Sequence, residues 1–353
     1  MHASPASASA EERRDHSAPP TAAPSAEAAL IVGLNWLGDS LMSMPAIQAW
    51  RRAHPQSRLV LLVKRKLAPL WTLQAAIDKI VILPENLGGL PAAVREIAAR
   101  RCRLAFILPN SFRSALVPFL ARVPERVGLS GHSRDWMLTK IVRPPALPGR
   151  EHQRYEYLAL FGLADAPAET PRLQLTPELP ARAFDLLGST GRNWIAVMPG
   201  AAYGAAKRWP AERFARAAQM LKERLNCNIV ALGSAEEHSL CEIVARGAGP
   251  GSLNLAGRTS LNELAAVLAQ CKLALGNDSG GMHLAAAFAI PVVAVFGITD
   301  PQRTKPLGSA VRVLQDSEQR NRDLRRDSPE ARAGLLRITP EQVVAAALEL
   351  QNR

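Results

Sequence analysis

A run of five residues at 277–281, NDSGG, combines the groups that bind an anion at the start of a helix. It follows a short apolar strand and precedes an Ala- and Leu-rich helical segment that ends at Pro291. The first N–H groups of a helix are unpaired and carry partial positive charge, so they attract phosphate, and glycines let the phosphate approach the backbone. A helix-capping turn without any ligand explains the same residues equally well.

A second candidate loop is PGAAYGAAKRWP at 199–210. Its small residues lead to Lys207 and Arg208, and Pro210 suits the first turn of the helix that follows. Small residues let a loop approach a phosphate closely, and a cation beyond them neutralises it. A glycine-rich surface loop with a solvated lysine remains an alternative.

Two carboxylates are predicted at helix starts that directly follow strands, Asp39 after strand 28–34 and Glu236 after strand 228–232. Open α/β sheets place their ligand crevice at this edge. Asp39 therefore suits a catalytic role, and Glu236 suits the diol of a ribose. Capping of the following helix is the ordinary role of an acidic residue at such a position, and it stays open for both.

Apolar strand segments alternate with helical segments along most of the chain, which predicts an α/β fold with parallel sheets covered by helices on both faces. The 353 residues suit two domains of about 150 residues each. The Pro-rich stretch 164–180 is the best candidate for a linker. Residues 122–148 look loop-rich, and 340–350 are predicted to form a last helix with Thr339 as its N-cap.

The net charge of +12 is concentrated in the first predicted domain, where residues 28–160 contain 19 Lys and Arg and 8 Asp and Glu, a balance of +11. Such an excess indicates an anionic partner. Nucleic acid is not favoured, because the basic residues are not interleaved with exposed aromatics and no nucleic-acid module is visible. An acidic or phosphorylated glycan or an anionic membrane surface fits as well.

Residues 1–27 are rich in Ala, Pro and Ser and lack the apolar core of a signal peptide, so they are predicted to be a disordered tail of a cytoplasmic protein. The longest apolar run is too short to span a bilayer. The four cysteines show no metal-binding or redox spacing, which favours structural thiols.

Four motifs, taken in order, resemble the ADP-heptose:lipopolysaccharide heptosyltransferases, glycosyltransferase family 9, and within it the heptosyltransferase II members most. They are NWLGDSLMSMPAIQAW at 35–50, PNSFRSAL at 109–116, PGAAYGAAKRWP at 199–210 and NDSGGMHLAAAF at 277–288. The resemblance implies the GT-B architecture, in which two Rossmann-like, doubly wound parallel-sheet domains face each other across a cleft.

On this basis the chain divides into five parts. The disordered tail is 1–27, the acceptor-binding domain 28–170, the linker 171–190, the nucleotide-sugar-binding domain 191–335, and the final helix 336–353 packs back on the first domain. The resemblance implies inverting transfer of a heptose from ADP-L-glycero-D-manno-heptose to the inner core of lipopolysaccharide, with no cofactor and no metal.

The resemblance also implies roles for single residues. Asp39 matches the family's proposed general base, and Lys207 matches its diphosphate-contacting lysine. The matching positions of the donor-binding turn are Asp278, Ser279, Gly280, Gly281 and His283.

The expected partners are ADP-heptose, an anionic inner-core acceptor and the inner face of the cytoplasmic membrane, where the protein would be peripheral. The basic residues expected to hold the acceptor are Lys64, Arg65, Lys66, Arg113, Arg122 and Arg126. Two other functions compete. One is a non-catalytic protein that binds a nucleotide-sugar or an anionic glycan, and the other is a nucleotide-sugar epimerase of the same architecture.

Overall fold

The computed structural model describes residues 28–86, 88–144, 148–167, 169–188, 193–202, 207–316 and 329–352. The predicted disordered tail at 1–27 lies outside these residues, and so does most of the charged segment 315–332.

The described residues form two parallel six-stranded sheets, and the first has the order β3-β2-β1-β4-β5-β6. The strand order reverses between β1 and β4, so the loops after these two strands diverge and leave a crevice. The strands are β1 (Ala28–Val32), β2 (Arg58–Lys64), β3 (Lys79–Leu83), β4 (Leu104–Ile107), β5 (Glu125–Leu129) and β6 (Lys140–Val142).

Five helices accompany this sheet within the described residues: α1 (Leu37–Ala53), α2 (Ala68–Trp71), α3 (Leu90–Ala99), α4 (Phe112–Leu120) and α5 (Arg154–Leu160). Most of α1 is buried, because α5 packs on it within the first domain and a helix of the second domain covers its beginning. α4 begins with a capping box in which Ser111 and Ser114 each bond the other's backbone N–H.

The second sheet has the order β12-β11-β10-β7-β8-β9, which repeats the topology of the first. Its reversal lies between β7 and β10, the strands that precede the two candidate phosphate loops. The strands are β7 (Trp194–Met198), β8 (Asn228–Ala231), β9 (Leu253–Asn254), β10 (Cys271–Asn277), β11 (Val292–Phe296) and β12 (Val311–Gln315). The expected pair of doubly wound Rossmann-like domains is confirmed.

The described helices of the second half begin with α6, which packs on α9. α9 begins with a Ser260–Glu263 capping box. The helices are α6 (Leu179–Leu187), α7 (Ala211–Leu225), α8 (His238–Gly247), α9 (Leu261–Ala269), α10 (Gly280–Ala287), α11 (Pro301–Thr304), α12 (Pro329–Arg337) and α13 (Pro340–Gln351). All four cysteines are buried and free.

Three sequence-based predictions are corrected. The loop-rich segment 122–148 contains β5 and β6, which are too short to show a clear alternation. The linker 171–190 includes α6, whose apolar face packs on the second domain. The final helix α13 packs on α7, β11 and β12 of the second domain instead of returning to the first, because its apolar residues complete the core around Trp209. Its predicted N-cap, Thr339, is confirmed.

The two domains touch where the N-terminus of α1 meets that of α10. A Cβ atom on Gly38 would lie 3.0 Å from the ring of His283, and a Cβ atom on Gly280 would lie 2.7 Å from Cβ of Leu37. The two glycines therefore allow two helix N-termini from different domains to approach each other closely. Along the described part of the chain, no helix has the length and apolarity needed to cross a membrane.

Candidate active site

A cleft of about 670 Å³ lies between the domains, at the carboxyl ends of both sheets. The first domain lines it with the start of α1 and with Lys66, and the second lines it with the loops after β7, β8 and β10. Both strand-order reversals open toward this cleft. Parallel α/β sheets bind their ligands at such a position.

Lys207 and Asp278 form an ion pair on the floor of the cleft, with 2.6 Å between Nζ and the nearer carboxylate oxygen. The Asp278 side chain is almost fully buried, and its backbone N–H donates to the carbonyl of Val295 at the end of β11. Two residues that are 71 positions apart in the chain are thus brought together. Lys207 is held at a fixed place beside the start of α10.

Asn277 connects the two candidate phosphate-binding loops through hydrogen bonds of its side chain. Its side chain is fully buried, donates to the carbonyl of Pro199 at 2.7 Å and accepts from the backbone N–H of Trp209 at 2.9 Å. The loop carrying Lys207 is therefore fixed at both ends to the last residue of β10. This role of Asn277 was not predicted from the sequence, although an asparagine that ends an otherwise apolar strand was a usable signal.

Ser279 is the N-cap residue of α10, and Gly280 and Gly281 are its first two residues. All three line the cleft beside Lys207, so unpaired N–H groups and an ammonium group face one region. His283 is buried one turn further on, where burial and Lys207 lower its pKa to about 4 against the opposing effect of Asp278. Its imidazole is therefore neutral at pH 7.

Asp39 lies on the opposite wall as the third residue of α1, whose N-cap is Trp36. The alternative that Asp39 serves as the N-cap is therefore wrong. Burial raises the pKa of Asp39 to about 6; Lys207 lowers it and Asp278 raises it. A carboxylate with this pKa is ionised near neutrality and still basic enough to accept a proton.

Glu236 does not line the cleft. It is exposed in the 3₁₀ turn Ala235–Glu237, whereas the next residue, Glu237, lies on the cleft wall and accepts from the backbone N–H of Ser234 at 2.8 Å. The spacing Ser234-x-x-Glu237 is that of a capping box, which directs the Glu237 side chain back toward the strand end. This spacing was the signal that would have selected Glu237.

The predicted acceptor residues divide into two groups. Lys64 is the last residue of β2, and Arg65 and Lys66 follow it at the cleft edge. Lys66 lines the cleft, with its Nζ 5.1 Å from the ring centroid of Trp36. Arg113 also lies at this edge, where its guanidinium donates to the carbonyls of Pro84 and Glu85 after β3.

Arg122 and Arg126 lie at the opposite edge of the sheet, away from the first group. Arg122 follows the end of α4, which runs back from the cleft, and Arg126 pairs with Ala105 near the start of β4. The guanidinium of Arg126 donates to the carbonyl of Met137 at 2.6 Å. Both arginines are therefore separated from Asp39 by the length of the strands.

The chain resembles proteins of a known family. The model of glycosyltransferase family 9 (heptosyltransferase) matches residues 92–333. The chain belongs to glycosyltransferase family 9. This glycosyltransferase is 32% identical to lipooligosaccharide heptosyltransferase 2 of Haemophilus ducreyi over 89% of the chain and 97% of that enzyme. It is 31% identical to lipopolysaccharide heptosyltransferase 2 of Escherichia coli K12, with 89% and 96% covered.

The fold of the chain also resembles that of a solved heptosyltransferase. The solved structure of ADP-heptose lipopolysaccharide heptosyltransferase II of E. coli superposes with a TM-score of 0.78 at 29% identity, covering 91% of this chain and 98% of that one. The protein is thus a glycosyltransferase of the GT-B architecture. Neither the non-catalytic binding protein nor the epimerase is retained as its function.

Proposed function

We propose that this glycosyltransferase moves a heptose from ADP-L-glycero-D-manno-heptose to the inner core of lipopolysaccharide, with inversion at the anomeric carbon. One observation carries the proposal. In a family 9 chain, a half-buried carboxylate with a raised pKa, Asp39, faces the Lys207–Asp278 pair across an interdomain cleft.

The second domain would bind the donor. Lys207 and the N–H groups at the start of α10 would neutralise the diphosphate, which gains negative charge as ADP leaves. They would supply the compensating positive charge without a divalent ion. Glu237 replaces Glu236 as the carboxylate that would hold the ribose diol, because it is the one on the cleft wall.

The first domain would bring the acceptor hydroxyl to Asp39. A sugar hydroxyl is a poor nucleophile near neutrality, and a carboxylate that accepts its proton during attack assists the reaction. Asp39 and the diphosphate site lie on different domains, so the hydroxyl can attack from the face opposite the leaving ADP. A single displacement of this kind inverts the anomeric centre.

The acceptor of the named relatives is a lipid-anchored glycan, so it would be presented at a membrane surface. We place the enzyme in the cytoplasm, peripheral at the inner face of the membrane. The excess of +11 over residues 28–160 supports attraction to an anionic surface of this kind.

The deciding experiment incubates the protein with ADP-heptose and candidate inner-core acceptors and measures product mass together with ADP release. Equal amounts of ADP and heptosylated acceptor are expected, with and without EDTA. ADP release without product would indicate hydrolysis, and loss of activity in EDTA that magnesium restores would contradict donor binding without a metal.

The pH profile of kcat/KM should reflect the protonation of Asp39. Because its pKa is raised to about 6, the base is progressively protonated as the pH falls below that value, so kcat/KM for the acceptor should fall by about tenfold per pH unit toward pH 4.5. Initial rates between pH 4.5 and 8 test this, with folding checked at each pH by circular dichroism. A rate that stays constant down to pH 4.5 would contradict a base with this pKa.

Two cations that looked equivalent in the sequence should behave differently. Lys66→Ala should raise the acceptor KM by about tenfold, because a charge-assisted contact at the cleft contributes about 1.5 kcal/mol, whereas Arg122→Ala at the opposite edge should change it by less than about twofold. A water-soluble, lipid-free acceptor is used so that only cleft contacts are measured. Equal effects of the two substitutions would show that the acceptor site extends beyond the cleft.

A further inference from the structure

One face of α4 leaves apolar side chains in solvent. Phe112 and Leu120 are 44% and 49% exposed, and Phe119 is half-buried between them. The spacing of seven and eight residues from Phe112 places all three on one side of the helix. This face runs along the outside of the first domain, away from the contact with the second domain.

Trp136 extends this face. It lies in the 3₁₀ turn Asp135–Met137 and is 62% exposed, with its ring centroid 5.0 Å from that of Phe119 and 6.4 Å from that of Phe112. Its Nε1 donates to the carbonyl of Ser133 at 3.1 Å. The polar edge of the indole is thus satisfied within the protein, and the ring can leave water without losing a hydrogen bond.

We call Phe112, Phe119, Leu120 and Trp136 the aromatic patch. Cations border it at the end remote from the cleft. The guanidinium of Arg126 lies over the ring of Phe119, 5.5 Å from its centroid, and exposed Arg122 lies two residues beyond the end of α4. The two arginines that do not reach the acceptor cleft are therefore part of this second surface.

We propose that the aromatic patch is the surface by which the protein docks on a bilayer that contains anionic lipids. This rests on the peripheral placement proposed above and assigns it to particular side chains. Tryptophan and phenylalanine are favoured at the boundary between headgroups and acyl chains, and neighbouring arginines attract anionic headgroups. The pairing of exposed aromatics with cations favours a lipid surface over an uncharged protein partner.

The geometry suits the reaction. α4 begins at the cleft edge of the sheet and ends at the opposite edge. The aromatic patch therefore lies beside the cleft and does not cover its opening. The cleft stays open while the protein is held at the surface.

Flotation of the full chain with vesicles tests the proposal. Vesicles of phosphatidylcholine with phosphatidylglycerol should bind the protein, and vesicles of phosphatidylcholine alone should bind it less. The double variant Trp136→Ser/Leu120→Ser should lower the partition constant for anionic vesicles by about tenfold or more, because two apolar side chains no longer leave water. Phe184→Ser removes a phenylalanine that is 46% exposed on α6 of the second domain, and it should have no effect.

A second measurement locates the contact. Lipids brominated on their acyl chains should quench part of the tryptophan fluorescence, and Trp136→Phe should bind vesicles but lose that quenching. Arg122→Gln/Arg126→Gln should weaken binding to anionic vesicles only, and the loss should be smaller in high salt. Arg216→Gln/Arg224→Gln, which removes two exposed cations of α7, is the matched control.

Equal vesicle binding of the Trp136→Ser/Leu120→Ser variant and the unaltered chain would overturn the proposal. So would a change in oligomeric state by sedimentation without a change in vesicle binding, which would make the patch an interface between copies. Transfer to a lipid-free acceptor should be unchanged in the variant. Vesicle binding through the patch without any transfer would refute the proposed reaction and leave the docking surface standing.

Discussion

Asp39→Asn should lower kcat by about 10² to 10⁴, because asparagine keeps the size of the side chain but cannot accept the proton of the acceptor hydroxyl. ADP affinity should stay nearly unchanged, since Lys207 and the start of α10 lie on the other domain. Single-turnover rates and ADP titrations measure the two quantities separately. The pH dependence below pH 6 should also disappear from the residual activity.

The stability of the same variant separates the catalytic role from a structural one. The folded pKa of Asp39 is raised above its ordinary value of 3.8 to about 6, so its contribution to folding is present at low pH and is lost as the pH rises through 6. Asparagine does not ionise, so the variant does not lose this stability. Its melting temperature relative to that of the unaltered chain should therefore be higher at pH 8 than at pH 5. A variant that melts early but turns over normally would show that Asp39 is structural and that another base acts.

Lys207→Ala should abolish most of the activity, with kcat/KM for the donor lowered by about 10² to 10³, because the developing charge on the leaving diphosphate loses its cation. ADP affinity should fall by about 10 to 100-fold through the loss of a charge-assisted contact. Lys272→Ala, which removes another half-buried lysine of the same domain that bonds to Asn193 and to the carbonyl of Leu225, is the matched control and should be active.

Lys207→Ala also leaves Asp278 buried without its ion partner, and that alone should destabilise the fold. The double variant Lys207→Ala/Asp278→Asn removes both charges. It should regain most of the lost melting temperature and still bind ADP weakly. If the double variant recovered ADP affinity along with stability, Lys207 would act only as the partner of Asp278 and not on the diphosphate.

The architecture was predictable from the sequence, because strands buried on both faces, such as β7 and β11, are continuous apolar runs and some helices begin with a capping residue, as α13 does. The helix at 340–350 and its Thr339 cap were predicted from these local signals, and both are present in α13. The loops that carry Asp39, Lys207 and 277–281 were also recognised, because glycines and polar residues directly follow strand ends.

Which of these groups come together depends on the strand order and on the contact between the domains, and neither is a local property of the sequence. Lys207 pairs with Asp278 because the strand order places β7 beside β10. Asp39 faces them because the domains touch, and Gly38 and Gly280 allow their close approach. The position of Arg122 and Arg126 at the opposite edge of the sheet was not visible in the sequence, because a count of charges does not show the edge to which a helix returns. α13 was assigned to the wrong domain because the sequence of an amphipathic helix shows which face is buried but not which domain that face packs on.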